Sequence, residues 1–592
     1  MDRSLFSIPW FISQHPYLTL STLVWLTYSY FPKLGFVSDD YQGIVEYDGK
    51  LQVIDEKSTK PRFLNTDYGR ISRWVRYHLC GGNFPSKFKD QAGNPVPQGK
   101  IPFRHHALSI GVLNLAVLAL YGFLSQIIGP KLAIMSLGIL VVHPITTQAV
   151  AWCSGLGYPL SLLWMGLSLV LVQWAGVAEL STIQLYLVYG LFLLLNYLAI
   201  NALFVAVMLW PILLLMGEPI FATINIVVSA WQGLGIVKST INLRADEFKK
   251  QNMGHSTFIK PRKIIVALKT IWYYIRMIVA PTKLGLYHEW GYHYGPDVER
   301  EDRMMLAGLF TVVASIAIFL LTSVFAIKLA ILWFYAFLFI FLNWITIQQF
   351  VTERYAFIPT LGFGIIVSYI LQDFTASYML ILGVYLCRTW THLPTYDNEL
   401  RFYESNIWNF PRSEVAYGNL GVTYLRMGKV GSSGDAWQHS ININQDYDVP
   451  YYNIYSHYRS NANAAVQQGQ YDKAFDLFKV ALPLLERCVT CKVSHFKELW
   501  TKELGELRTL IANPIMVYET ELARLKTLDT TLRNQRASCR AKKDVENVDI
   551  SINNNANQIN NLILFVKSRN MSLQTVVLKE ITQDSFLKKL LT

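Results

Sequence analysis

Through the first two thirds of the chain, apolar residues come in long unbroken runs rather than at the spacing of a half-buried helix or strand. A helix needs about 17 to 25 such residues to cross the hydrocarbon core of a bilayer. Runs near that length are read at about Leu18 to Phe36, Ala107 to Ile127, Leu132 to Val150 and Tyr158 to Trp174. Ile183 to Met216 is too long for one helix, and Asn196 and Asn201 near its middle predict a tight turn between two spans. Five more follow, at Ile264 to Ala280, Met305 to Leu321, Leu329 to Trp344, Phe357 to Leu371 and Tyr378 to Trp390. The pattern therefore predicts an all-α polytopic membrane part with roughly eleven spans.

Ile220 to Val237 is less apolar, carrying Asn225, Ser229 and Gln232, and reads as an interfacial helix. The basic stretch after it, with Arg244, Lys249, Lys250, Lys260, Arg262 and Lys263, belongs on the cytoplasmic side. An inside amino terminus and six preceding spans place it there. The same count predicts that four polar segments share the outer face: Ser38-Asp39-Asp40, His143-Pro144, Tyr287 to Trp290, and Thr352 to Tyr355. The first of them opens a long outer loop over residues 37–104.

After Trp390 the pattern turns polar, so the expected division is a membrane domain over 1–392 and an extracytoplasmic helical domain over 393–592. That tail carries a weak repeat. Asn419-Leu420-Gly421, Tyr424 and Gly428 follow the first helix of a tetratricopeptide repeat, and Gly469, Ala474, Phe478 and Ala481 follow the second. An insertion is read at Gly431-Ser432-Ser433-Gly434, a further helix at Tyr518 to Leu532, and a surface turn in the Asn-rich patch Asn553 to Asn561.

Composition agrees with a membrane protein. Of 592 residues, 52% are hydrophobic and only 16% charged, against roughly 25% charged in soluble domains. The net charge of +12 comes without clustered Lys/Arg among aromatics, which argues against a nucleic-acid partner and for loops beside anionic lipid. Six cysteines are too scattered for a disulfide scaffold. Cys488 and Cys491 lack the second pair that a zinc site wants, and read as part of a helical hairpin or one local disulfide. The first apolar run lacks a small-residue cleavage pattern and reads as a span, not a signal peptide.

Candidate chemistry lies on the outer face. Asp39 and Asp40 stand at the mouth of the membrane, where partial desolvation raises a carboxylate's basicity toward a hydroxyl nucleophile. Adjacent side chains diverge, so one is a base and the other an orienting group. Arg354 offers a planar fork for phosphate oxygens and His288 a second donor, although Glu353 beside Arg354 also permits a plain ion pair. Arg70, Arg73 and Arg76 suit an amphipathic helix on lipid headgroups. No Walker loop, dinucleotide fingerprint, zinc-protease or hydrolase signature is present.

These segments resemble a known group. Gly35-Phe36-Val37-Ser38-Asp39-Asp40, His143-Pro144-Ile145-Thr146-Thr147-Gln148-Ala149-Val150-Ala151-Trp152, Tyr273-Tyr274 with Pro281 and Leu284 to Tyr287, and Val351-Thr352-Glu353-Arg354-Tyr355-Ala356-Phe357-Ile358-Pro359 are similar, in that order, to motifs of the transmembrane and tetratricopeptide-repeat O-mannosyltransferases and their bacterial relatives, within the GT-C superfamily. The resemblance implies transfer of a sugar, mannose in that group, from a polyprenyl phosphate to a protein or glycan hydroxyl, in the periplasm or the lumen of the endoplasmic reticulum. It puts the catalytic acid at Asp40 or Asp39, with Asp40 favoured. Arg354 and His288 would then hold the donor phosphate, with His143, Glu353, Glu289 and Arg70 supporting. A divalent cation is compatible with the acidic pair, but no ligand cluster demands it. The chain departs from the pattern at Gln148, where relatives carry glutamate, and at Gly155-Leu156-Gly157-Tyr158-Pro159. A glutamine cannot act as a base, which keeps open a silent relative whose repeats scaffold a membrane assembly through a protein partner. A lipid-linked-sugar transporter is the other alternative.

Overall fold

The structure is a computed structural model, and it describes residues 14–40, 44–45, 74–89, 95–232, 261–288, 302–343, 351–491, 497–512, 515–538 and 542–568. These are mostly helical, as the apolar runs predict. The described exception is one antiparallel pair, β1 (Pro85–Lys89) with β2 (Pro95–Pro97), in the loop after the first helix. Packing divides the chain into two compact units, the first reaching Thr423 and the second beginning at Tyr424. That division falls further along than the change in composition near Trp390.

In the first unit, α1 (Pro16–Thr27), α2 (Pro102–Ile127) and α3 (Pro130–Val142) each start on a proline, whose missing N–H costs nothing in the first turn. After a bend come α4 (Thr147–Ala151), α5 (Gly157–Val177), α6 (Thr182–Ala202), α7 (Trp210–Leu215) and α8 (Pro219–Gln232). Then follow α9 (Pro261–Val279), α10 (Asp302–Leu321), α11 (Phe325–Phe339), α12 (Thr360–Leu371), α13 (Thr375–His392) and α14 (Glu399–Asn409). The core is made where α2 packs on α1, α3 and α5, and where α12 packs on α3 and α11.

Among the described residues, four helices are long and apolar enough to cross a membrane: Pro102–Ile127, Cys153–Val177, Thr182–Ala202 and Arg303–Leu321. A fifth is added if Pro130–Val142 and Pro144–Ala151, bent by 60°, count as one. The other expected spans are shorter or more polar helices, and Pro144 breaks the run read as Leu132 to Val150.

One local expectation is corrected. Asn196 does not make a turn: α6 runs through it, and the break comes at Leu203. Its side chain is buried, with Nδ2 on the Phe192 carbonyl (2.9 Å) and Oδ1 accepting from Asn225 Nδ2 (2.7 Å). Asn225 in turn accepts from the Trp210 N–H (3.0 Å). A long helix absorbs the asparagine because a polar partner across the interface satisfies it. Helix α8, read as interfacial, buries Asn225 and Gln232 beside Phe221 and Val228 and leaves Ile226, Val227 and Trp231 exposed.

The start of α15 (Glu414–Arg426) closes the first unit. The second contains α16 (Val430–Ile443), α17 (Val449–Gln467), α18 (Tyr471–Thr490), α19 (Lys497–Ala512), α20 (Ile515–Ser538) and α21 (Lys542–Ser568). Helices α17 and α18 pack as a hairpin, turned at Gly469 with φ +71°. Ala462, Ala465, Ala474 and Ala481 let them approach closely, and Tyr455, Phe478 and Trp500 fill the space around them. The Gly431 to Gly434 stretch lies inside α16 and inserts no loop. The Asn-rich patch likewise lies inside α21, where Asn555 is buried and donates to the Leu525 carbonyl (3.0 Å). Cys488 and Cys491 are free thiols close to the carbonyls of Asp448 (3.7 Å) and Gln445 (3.8 Å).

Candidate functional site

The acidic pair sits on a tight turn. Asp40 is fully buried: Oδ2 accepts from the Val37 N–H (3.2 Å), and Oδ1 accepts both the N–H (2.7 Å) and the hydroxyl (2.6 Å) of Ser154. Burial is the main influence on its carboxyl, which is pushed up to about 6 despite those donors and the nearby Arg76 guanidinium. Asp39 is exposed. Asp40, favoured on sequence as the base, is thus buried and held by three hydrogen bonds, and Asp39 is the exposed member of the pair. Gly35 supports the turn from below. Its N–H binds the Tyr396 carbonyl (3.0 Å), its own carbonyl accepts from His106 Nε2 (3.0 Å), and a Cβ there would collide with the Asp397 carbonyl.

Arg354 lies on a one-turn 3-10 helix, Glu353–Ala356. Its backbone N–H donates to Gln148 Oε1 (2.8 Å), which also accepts from the Thr352 hydroxyl (2.7 Å). Arg354 is 7% exposed, and its guanidinium lies 4.7 Å from the Trp152 ring and 5.3 Å from Tyr355 and donates to the Tyr158 hydroxyl. The sequence left open a plain ion pair with Glu353. The structure points Glu353 elsewhere, to the Gly285 N–H and to two imidazoles, His288 (3.8 Å) and His392 (3.6 Å). Among the described residues no carboxylate pairs with Arg354, and its Nη1 has no hydrogen-bond partner.

Trp152 connects the two groups, since its indole N–H donates to the Val37 carbonyl (3.2 Å) on the acidic turn while its ring faces Arg354. Tyr287 makes a second connection. Its hydroxyl hydrogen-bonds Ser38 and accepts from Asn419 Nδ2 (3.2 Å), within electrostatic reach of both Asp39 and Arg354. Burial pushes that phenol up to about 12, so it stays a neutral donor.

His288, expected on the phosphate beside Arg354, is engaged differently. Its Nδ1 meets the Tyr273 hydroxyl (2.8 Å), its ring packs on Phe410, and burial lowers it to about 4, opposed by Glu353. It is a neutral imidazole next to Glu353. His143 is structural: Nε2 donates to the Ile278 carbonyl (2.8 Å) and Nδ1 accepts from the Ile145 N–H (3.2 Å), so both ring nitrogens are used at the start of a 3-10 turn. Glu289 and Arg70 lie outside the described residues. Arg76 does not lie free on a surface; its Nε donates to His105 Nδ1 (2.9 Å). No three His, Cys, Asp or Glu side chains among the described residues converge to hold a metal ion.

The sequence reading missed Trp152, Ser154, Tyr158 and His392. The first three sit within or just after the His143 to Trp152 motif, and their proximity in sequence was the available signal. His392 closes a helix of ordinary apolar pattern and gave none.

Fold and site together define a largely helical protein with several membrane-type helices and a buried guanidinium that, among the described residues, has no carboxylate partner and is linked through Trp152 to an acidic turn. No family model matches the chain, and neither a curated protein nor a solved structure matches it.

Proposed function

We propose that the protein is a membrane glycosyltransferase that moves a sugar from a polyprenyl-phosphate donor to a hydroxyl on a protein or glycan, on the extracytoplasmic side. The observation that carries the reading is Arg354: a buried cation with an unused N–H and no carboxylate partner among the described residues. Burying an uncompensated charge costs several kcal/mol, and a bound anion with several acceptor oxygens removes that cost. A planar guanidinium suits a phosphate diester or monoester.

In this reaction Asp39 is the general base. It takes the proton of the acceptor hydroxyl as the oxygen attacks the anomeric carbon from the face opposite the phosphate. The C–O bond to the phosphate breaks, the anomeric centre passes through an oxocarbenium-like state, and the product is inverted. Arg354 and the Tyr287 hydroxyl stabilise the charge that builds on the departing phosphate, which needs no proton of its own. Asp40 fixes the turn from which Asp39 projects. The motif resemblance makes mannose the sugar and the paired helices of the tail a tetratricopeptide-like surface for a protein partner.

The test is transfer by the purified full chain in vesicles, from radiolabelled mannosyl-phosphoryl-polyprenol to a Ser/Thr-rich peptide. D39N is expected to lower turnover by about 10²- to 10⁴-fold, and R354K to lower it comparably. Wild-type turnover in both variants overturns the reading.

A further inference from the structure

The stretch before α2 turns large apolar side chains away from the protein. A short helix over residues 74–79 buries Tyr77 and, just past its end, Cys80 on one face. Its other face carries Trp74, Val75 and Leu79, all exposed, with only His78 as a polar neighbour; Leu79 is 68% exposed. The chain entering β1 repeats the pattern. Phe84 and Phe88, four apart in an extended segment and so on one side of it, are 73% and 53% exposed. A soluble surface scatters such residues singly, and a cluster of them marks a contact.

Hydrogen bonds fasten this stretch to the start of α2, a helix long and apolar enough to cross a membrane. Arg104 Nη1 donates to the Cys80 carbonyl (3.2 Å), Arg76 Nε to His105 Nδ1 (2.9 Å), and the Gln98 and Gly99 N–H groups to the carbonyls of Phe84 and Gly82 (both 2.8 Å). Arg76, read on sequence as part of a basic face on headgroups, is thus used inward. At the same end of α2, Trp25 and Phe103, both exposed, meet through Phe31 (5.9 and 5.7 Å between centroids), the kind of aromatic belt that sits where lipid meets water. From Arg70 to Arg104 the chain carries seven Lys or Arg and one acid, Asp90. The exposed Lys87 holds its Nζ 5.7 Å from the Phe88 ring. We infer that residues 74–88 are a docking surface for anionic lipid: Leu79, Phe84 and Phe88 enter the leaflet at the start of α2, and Lys87 meets the headgroup phosphates. Apolar bodies with a cationic tip suit that boundary.

The experiment is dye fluorescence of the full chain in lipid nanodiscs. L79C and F84C are each made in a C387S/C539S background, whose other cysteines are buried, and labelled with the environment-sensitive dye NBD; D435C, at an exposed position of α16, is the reference. In discs of phosphatidylcholine with phosphatidylglycerol, the dye at 79 and 84 is expected to be quenched by lipid carrying a doxyl group near the headgroup and shielded from iodide, the reverse of the dye at 435. Doxyl quenching at both positions is expected to fall by about half in phosphatidylcholine alone, and K87E is expected to produce a fall in the same direction with the anionic lipid present. Iodide quenching at 79 and 84 as strong as at 435 overturns the inference. Shielding from both quenchers also overturns it, and assigns the patch to a protein cover, either another segment of this chain or a second copy. Equal doxyl quenching with and without phosphatidylglycerol overturns the assignment to anionic lipid.

Discussion

Neighbouring Asp39 and Asp40 should respond to mutation in opposite ways. Asp40 accepts three hydrogen bonds within the protein, two of them from Ser154, more than a hundred positions away. D40A leaves the Val37 N–H buried without its acceptor and also removes the acceptor of both Ser154 donors, which belong to an exposed residue that water can reach. At roughly 1 to 3 kcal/mol for the one buried orphaned group, and less than that for the two donors water can reach, the loss is on the order of 2 to 4 kcal/mol. D39N changes an exposed side chain and should shift stability by no more than about 0.5 kcal/mol. The assay is thermal unfolding of purified protein in one detergent, together with the transfer assay. D40A should unfold several degrees lower than wild type, and D39N at the wild-type temperature but with turnover lowered by about 10²- to 10⁴-fold. The pH dependence adds a second readout. Burial raises the folded-state carboxyl of Asp40 from 3.8 to about 6, so the folded protein prefers its protonated form. Stability from this group is present below about pH 4, is lost as pH rises toward 6, and is constant above that. The loss amounts to about 3 kcal/mol. D40N should remove this slope relative to wild type. An unchanged Tm in D40A, or the same pH slope in D40N, refutes the assignment of Asp40 as a buried anchor.

Other outcomes follow from the packing. N196L and N225L should each lower stability by about 1 to 3 kcal/mol, and a double-mutant cycle on the two should give a coupling of about 0.6 to 1.7 kcal/mol, as for other hydrogen bonds between membrane helices; complete additivity counts against the Asn196–Asn225 bond. G35A should fail to yield a monodisperse protein by size-exclusion chromatography, because its methyl would occupy the space of the Asp397 carbonyl. G469A should cost about 1 to 2 kcal/mol in chemical unfolding of the tail, since the turn between α17 and α18 holds this residue at φ +71°.

Much of the site was legible as chemistry and little of it as geometry. The Ser38-Asp39-Asp40, Tyr287-His288 and Thr352-Glu353-Arg354 segments are visible because acids, imidazoles and a guanidinium stand out against apolar runs. The sequence could not say which aspartate turns inward. That choice depends on Ser154, which meets Asp40 only after the bend at Pro144 and the Cys153–Leu156 turn bring it across. It was equally silent on whether Glu353 neutralises Arg354, because adjacent residues in a 3-10 turn point apart and the Gly285 N–H takes the carboxylate instead.

By itself the sequence determined that the chain is helical, that its first part is apolar enough for membrane-type helices, and that its tail pairs helices through alanines and glycines. These are local properties, written in hydropathy, proline starts and small-residue spacing. Only the tertiary structure decided where helices stop, as at Leu203 and Pro144, and which polar groups satisfy one another. Asn196 with Asn225, Asp40 with Ser154 and Glu353 with the Gly285 N–H are partners from distant segments. A buried polar atom is stable only beside its complement, and a one-dimensional pattern does not say which complement the fold will bring.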